Sequence, residues 1–297
     1  MSMESFMQEK IQKVDIALDE YIKDTGHHHK LVFEAMRYSI FAGGKRLRPV
    51  LMLAANEYVG GKEEEVLPFA CAIEMIHTYS LIHDDLPAMD DDDYRRGKLT
   101  NHKVFGEGIA ILAGDGLLNL AYEIMFKEIW NADEMSMKRK AAAAFEIVAA
   151  AGVNGMIGGQ VVDLISENKK INSDILDFIH NNKTAALIIA SIKAGAIIGG
   201  ASDKEIQEMT EYGKNIGLGF QITDDILDII GDEKKLGKKV GSDLEKHKAT
   251  YPSIHGMEAS IEKVKELHQK SVAVFHNQKD KARFFLDMAD FLVKREF

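Results

Sequence analysis

One cysteine, four prolines and one tryptophan are all that 297 residues hold of those three types. A lone cysteine rules out an intrachain disulfide and fits a reducing compartment. Cys71 lies in the apolar run FACAIEMI, the setting of a buried structural thiol. Scarce proline, beside runs rich in Ala, Leu, Glu, Lys and Met, favours helix throughout. Alternating apolar–polar stretches, the mark of half-buried strands, do not occur. Basic residues are in deficit: 37 Lys and Arg against 47 Asp and Glu leave a net charge of −10. That balance speaks against nucleic acid as a partner, which needs a basic stripe. No apolar run reaches the roughly 18 residues of a membrane span. The opening MSMESFMQEK lacks the apolar core of a signal peptide, so a cytoplasmic protein is expected. No linker rich in Pro, Gly or Ser divides the chain, and residues 1–297 read as a single domain.

What is present is helical periodicity. Met7, Ile11, Val14, Leu18 and Tyr21 recur at spacings of four and three, an amphipathic helix. Further helices are expected over about 30–41, from Pro49 through VLMLAANEY, and over 62–83, the last apolar enough to be central. A loop at 97–103 precedes GIAILAGDGLLNLAYEIMF, and 138–164 reads as one Ala-rich, then Gly-rich, segment. Glycine inside a helix costs about 1 kcal/mol against alanine, so GVNGMIGGQ marks the close approach of another helix or a ligand. Helices over 175–181, 183–198, 204–230 and 261–275 follow, then a docking helix with Phe284, Met288, Phe291 and Leu292 on one stripe.

The chemistry lies in two aspartate clusters. DDLPAMDDDD (84–93) places six aspartates in ten residues, and DDILD spans 224–228. Six carboxylates so close repel one another unless cations intervene. A solvated acidic loop is the alternative, and an EF-hand is excluded by the ligand and glycine spacing. His77, Ser80 and Asp84 share a helix face, whereas Asp84 and Asp90 meet only if LPAM bulges. Asp224 and Asp228 are i and i+4 on one helix with Asp225 beside them, an unfavourable like-charge pair. The apolar GLGFQIT before them half-buries that face, which is costly without a metal. Gln221 lies one turn earlier.

Basic residues stand opposite. In GGKRLRP (43–49), Arg48 suits a bidentate phosphate clamp and Lys45 a point charge, with a plain surface patch as the alternative. Arg95 and Arg96 follow the first aspartate cluster, and Lys238 to Lys248 follow the second. Carboxylates hold hard divalent metals, metals hold phosphate oxygens, and Lys or Arg take the remaining charge. Two such half-sites point to one cavity that activates a diphosphate.

GGKRLRP, YSLIHDDLPAMDDDDYRRGKLTNH, GMIGGQVVDL, Lys183–Thr184, FQITDDILDIIGD and GKKVGSDLEKHKATYP occur in the order of the trans-polyprenyl diphosphate synthases. The chain resembles that family over at least residues 30–252, and the bacterial farnesyl type most. The resemblance implies an all-α fold, a single large helical bundle around a deep central cavity (the isoprenoid synthase fold), and a homodimer. It implies condensation of isopentenyl diphosphate with dimethylallyl and geranyl diphosphate to give farnesyl diphosphate and pyrophosphate. Mg²⁺ is the implied cofactor, three ions per active site with substrate bound. Asp84, Asp90 and Asp224 match metal contacts, with Asp85 and Asp228 in support; Asp225 and Lys183 are expected beside them in the catalytic set. Arg95, Lys183, Thr184, Gln221, Lys238 (with Lys239 as the alternative) and Lys248 match allylic diphosphate contacts. Lys45, Arg48, His77 and Arg96 match the isopentenyl diphosphate pocket. Gln160 and Asp163 match a helix lining the same cavity. Tyr79 lies five residues, about 7.5 Å, along the helix from Asp84, where its ring, with small Ser80 beside it, would close the floor on a growing prenyl tail; one more core aromatic is the alternative.

A geranylgeranyl or longer-chain synthase is the nearest rival, opposed by bulky Tyr79. A terpene cyclase needs no second diphosphate pocket, against which Lys45, Arg48 and Arg96 speak. A non-catalytic acidic helical protein would not depend on those cations. A His–Asp phosphohydrolase built on His83–Asp84 lacks the further spaced histidines.

Overall fold

A computed structural model describes residues 2–23, 26, 28–230, 249–276 and 278–294. Helices dominate them: α1 (Met3–Tyr21), α2 (Lys30–Ile40), α3 (Leu47–Tyr58), α4 (Glu63–Asp84), α5 (Asn101–Phe105), α6 (Glu107–Trp130), α7 (Glu134–Ala151) and α8 (Met156–Ser166). Then come α9 (Ser173–Ile179), a π-helical turn (His180–Ala185), α10 (Ala186–Gly199), α11 (Asp203–Ile230), α12 (Tyr251–His255), α13 (Met257–Val274) and α14 (Arg283–Lys294). The one β element among the described residues is a hairpin of β1 (Tyr94–Arg95) and β2 (Lys98–Leu99), paired antiparallel with Tyr94 opposite Leu99. Sequence reading leaves this stretch as loop, because two-residue strands carry no alternation to detect.

Local signals explain the ends. Three glutamates, Glu63 to Glu65, open α4 at the positive end of its dipole. Ser202 and Glu205 form a reciprocal capping box before α11: Ser202 N donates to Glu205 Oε2 (2.9 Å) and Glu205 N to Ser202 Oγ (3.3 Å). The segment expected as one unit over 138–164 is broken between α7 and α8, where Gly152 and Gly155 interrupt the alanine run.

α4 is central, as its composition predicts. Thirteen of its side chains are buried, among them Phe69, Ile73, Met75 and Ile76, and a helix apolar on all sides is stable only inside a protein. One core joins α1, α2, α4, α6 and α7 through Val14, Leu18, Met36, Phe69, Leu117 and Ile147. A second joins α3, α10, α11 and α14 through Leu51, Ile192, Tyr212, Phe285 and Leu292. The expected stripe on α14 therefore docks, with Met288 and Leu292 buried and Phe284 and Phe291 partly so. Cys71 is fully buried and burial pushes its thiol pKa up, as befits a structural thiol. The glycines of α8 mark a close approach: a Cβ on Gly159 would collide with the backbone at Lys183.

One expectation is corrected. Four helical stretches, Glu63–Asp84, Glu107–Trp130, Glu134–Ser166 and Ser173–Gly199, are long and apolar enough to cross a membrane by length and composition. Counting unbroken apolar runs misses them because each tolerates one or two charges. The first and last lie largely inside the protein, with 72% and 56% of their windows buried, against 39% and 33% for the other two.

Candidate active site

The first aspartate cluster begins where α4 stops. Pro87 cannot continue the helix, and the chain folds back so that Asp90 N donates to Asp84 O at 2.9 Å. The bulge that Asp84 and Asp90 require is thus present. Asp91 completes it with φ 49°, a left-handed conformation that aspartate tolerates. Asp84 is half-buried and accepts from Gln160 Nε2 of α8. Its neighbour Asp85, rotated away around the helix, is 3% exposed and gripped by Arg95. Arg95 Nε lies 2.7 and 2.8 Å from its two oxygens, and Nη2 2.5 Å from Oδ1. Burial raises the Asp85 pKa although Arg95 opposes the shift.

The basic wall comes from the loop before α3 and from the hairpin. Gly43 and Gly44 have φ of 96° and 126°, conformations open to glycine, and the Arg96 guanidinium rests where a Gly44 side chain would be. Arg96 also donates to Gly43 O. The loop is anchored by Arg46, 4% exposed, which reaches Asp15 (3.0 Å), Glu74 (2.9 Å) and Ile40 O (2.5 Å). Sequence reasoning passes over Arg46 and Glu74; a buried ion pair leaves no local spacing signal. Lys45 Nζ sits 5.5 Å from the Phe220 ring centroid. Arg48 is half-buried, its Nε has no hydrogen-bond partner, and burial lowers its pKa to about 10. His77 is held well below the usual histidine range by burial and then by Arg48, Arg96 and Arg95.

The opposite wall is α8, the π-helical turn and α11. Lys183 Nζ lies 2.6 Å from Asp163 Oδ2, and Thr184 Oγ1 donates to Gln221 Oε1 at 2.7 Å. Asp224 is half-buried, whereas Asp225 is 3% exposed and Asp228 fully buried. Asp225 accepts from Gln221 Nε2 and from Tyr251 N, both at 2.8 Å. Lys238, Lys239 and Lys248 lie outside the described residues.

These walls enclose a polar cavity of about 570 Å³. Asp84, Asp90, Asp224 and Asp225 line it, together with Lys45, Arg48, His77, Arg95, Arg96, Lys183, Thr184 and Gln221. Residues from four separated parts of the sequence are thereby brought together. A second cavity of about 490 Å³ adjoins it and shares Arg48, His77, Leu81, Asp84, Lys183 and Thr184. That cavity is walled by Tyr79, Ser80, Met89, Leu118, Met156, Ile157, Val161 and Leu164 and is mostly apolar. Tyr79 is 7% exposed, its phenol is pushed up to about 12 by burial, and its ring meets His83 edge-on at 5.7 Å. Asp85 and Asp228 line neither cavity.

The donor set fits Mg²⁺. Among the described residues no group of three or more His, Cys, Asp and Glu could hold a metal by itself. Mg²⁺ commonly takes one or two carboxylates and completes its octahedron with phosphate oxygens and water. Carboxylates on two walls of one cavity supply that set only with a phosphate between them. Arg48, whose buried Nε has no hydrogen-bond partner, lines the same cavity and can donate to a phosphate oxygen there.

Comparison with known proteins gives a consistent result. The family described as polyprenyl synthetase matches residues 29–288. A farnesyl diphosphate synthase of Bacillus subtilis is 45% identical over 266 residues, 90% of this chain and 88% of that protein. A geranylgeranyl diphosphate synthase of Cyanophora paradoxa is 47% identical over 266 residues, 89% and 87%. The crystal structure of an FPP/GFPP synthase from Zymomonas mobilis superposes with a TM-score of 0.87 at 33% identity, covering 98% of both chains.

Proposed function

The chain belongs to the polyprenyl synthetase family and is a prenyltransferase with the all-α isoprenoid synthase fold, and from that premise we propose that it makes farnesyl diphosphate. The observation that carries the reading is the junction of a cation- and carboxylate-lined cavity with a mostly apolar one that Tyr79 lines. An amphiphile with a diphosphate head and a short prenyl tail fits that pair of compartments. The second reading, a geranylgeranyl diphosphate synthase, has its own support, since a relative of that name is 47% identical. We also read residues 1–297 as one domain of a cytoplasmic protein.

Asp84, Asp90 and Asp224 would hold Mg²⁺, which when bound neutralises charge on the diphosphate; three ions per site is what the family resemblance implies. Lys183, Thr184, Gln221 and Arg95 receive the allylic diphosphate. Asp163 and Asp85 hold two of those cations at 2.6 and 2.5 Å, and so aim them before substrate arrives. Arg48, Lys45, Arg96 and a neutral His77 receive isopentenyl diphosphate. The allylic C–O bond breaks and its electron pair leaves with the diphosphate. The isopentenyl double bond then forms the new C–C bond, and the proton lost goes to the released pyrophosphate. Holding both substrates side by side supplies proximity, and preorganised cations supply the largest electrostatic contribution.

We assign the outer face of α6 and α7 to a second copy, as a homodimer. Phe126 and Trp130 of α6 and Phe145 of α7 are 69%, 87% and 70% exposed, large apolar side chains that a second copy would cover. Turnover of isopentenyl diphosphate with geranyl diphosphate and Mg²⁺, followed by chromatography of the dephosphorylated products, tests the function. Fifteen-carbon product supports the first reading and twenty-carbon product the second. Full turnover in excess EDTA would sink both.

A further inference from the structure

The π-helical turn at His180–Ala185 stands out, since such turns are rare and gather at functional sites. It widens the helix where Lys183 and Thr184 must both face the cavity. A widened turn gains no stability from its own geometry, so something outside it must hold it. α8 presses on one side, where Gly159 meets the Lys183 backbone. On the other side stands His180, the first residue of the turn, only 4% exposed.

His180 Nε2 lies 3.3 Å from Asp225 Oδ2. The Asp225 oxygens already accept from Gln221 Nε2 and from Tyr251 N, and Gln221 in turn accepts from Thr184. A path of polar contacts therefore leaves the turn at His180, crosses α11 through Asp225 and Gln221, and returns to the turn at Thr184. The His180 ring also stacks on Tyr251, with centroids 6.3 Å apart and planes at 23°. Its other nitrogen, Nδ1, is buried without a partner, so the ring's polar contact with the protein is made at Nε2. Nothing in the catalytic scheme above uses this residue.

We infer that His180 is a positioning residue: through Asp225 it fixes the π-helical turn so that Lys183 and Thr184 are preset for the allylic diphosphate. This rests on the prenyltransferase reading. Asp225, which accepts from Gln221 and Tyr251 and faces His180, acts as the keystone of this arrangement. The isopentenyl pocket, built from the loop before α3 and the hairpin, is not touched by it.

Two polar replacements separate the hypothesis from simple packing. In His180→Gln the side-chain amide nitrogen reaches the place of Nε2; in His180→Asn it reaches only that of Nδ1. His180→Asn should raise KM for geranyl diphosphate at least tenfold while KM for isopentenyl diphosphate stays within twofold. His180→Gln should bring the allylic KM back to within threefold of wild type. Calorimetric titration with inorganic pyrophosphate and Mg²⁺ should show the same order, at least tenfold weaker for Asn and near wild type for Gln. Melting temperatures, measured in parallel, should not follow that order. Equal impairment of the two variants, equal rises in both KM values, or wild-type behaviour of His180→Asn overturns the inference. An inactive wild-type protein that also fails to bind pyrophosphate would instead overturn the function itself.

Discussion

Replacing Arg48 by methionine tests the two-pocket reading through stability and binding at once. The substitution keeps an unbranched stem and deletes the charge. In the free chain Arg48 is half-buried, its Nε has no partner, and burial brings its pKa to about 10, with Arg96 adding repulsion and Glu74 and Asp224 opposing. At about 1.4 kcal/mol per tenfold, that shift corresponds to roughly 3 kcal/mol of disfavoured charge. Solvent in the cavity screens it to ~1–2 kcal/mol. Arg48→Met should therefore stabilise the free protein and raise its melting temperature by about 2–3 °C. The same change removes a charge-assisted bond to isopentenyl diphosphate, worth about 1.5–3 kcal/mol, so that KM should rise roughly 10- to 150-fold. KM for the allylic substrate should rise less than that, because Lys183, Thr184, Gln221 and Arg95 still receive that diphosphate in the variant. Because Arg48 helps to hold down the His77 pKa, the imidazole resonance of His77 should titrate at higher pH in the variant. A variant that loses stability, or one whose two KM values rise together, refutes the reasoning.

Asp84→Ala and Asp224→Ala should each lower turnover by roughly 100-fold or more, since each removes a carboxylate from charge stabilisation worth several kcal/mol; circular dichroism should show unchanged helix content, and near-normal rates would remove that aspartate from the site. Tyr79 lies five residues, about 7.5 Å, along α4 from Asp84 and walls the apolar cavity. Tyr79→Ala should shift products from fifteen toward twenty carbons without losing the first condensation; an active variant with unchanged product length would contradict its place as the floor. His77 sits well below the usual histidine pKa in the folded chain, so below about pH 6.5 the unfolded chain binds a proton that the native chain does not. Stability contributed by neutral His77 is therefore present above that pH and lost on acidification, by up to ~1.4 kcal/mol per pH unit. The urea midpoint should fall faster from pH 6.5 to 5.5 in wild type than in His77→Gln, and parallel slopes would disprove it.

Helix, and the residue types of the site, follow from sequence alone. Four prolines, the periodicity of α1 and the all-round apolar character of α4 leave little alternative to a helical bundle. The spacing of Tyr79, Ser80 and Asp84 along one helix is local geometry, and so is legible without a fold. What local spacing cannot convey is which way a residue's partners lie. Asp84 and Asp85 are chemically identical neighbours, as are Asp224 and Asp225. Yet successive helical residues point about 100° apart. Asp84 opens on the cavity while Asp85 turns to Arg95; Asp224 and Asp225 both line the cavity, but only Asp225 is tied to Gln221 and Tyr251. The two-residue hairpin carrying Arg95, the ion pairs of Arg46, and the π-helical turn were decided only by tertiary packing. Each depends on contacts between segments tens of residues apart, from Arg46 to Glu74 and from His180 to Asp225. The same holds for membrane-length apolar helices: their composition permits a span, and burial of Glu63–Asp84 against the other helices is what places that one inside the protein.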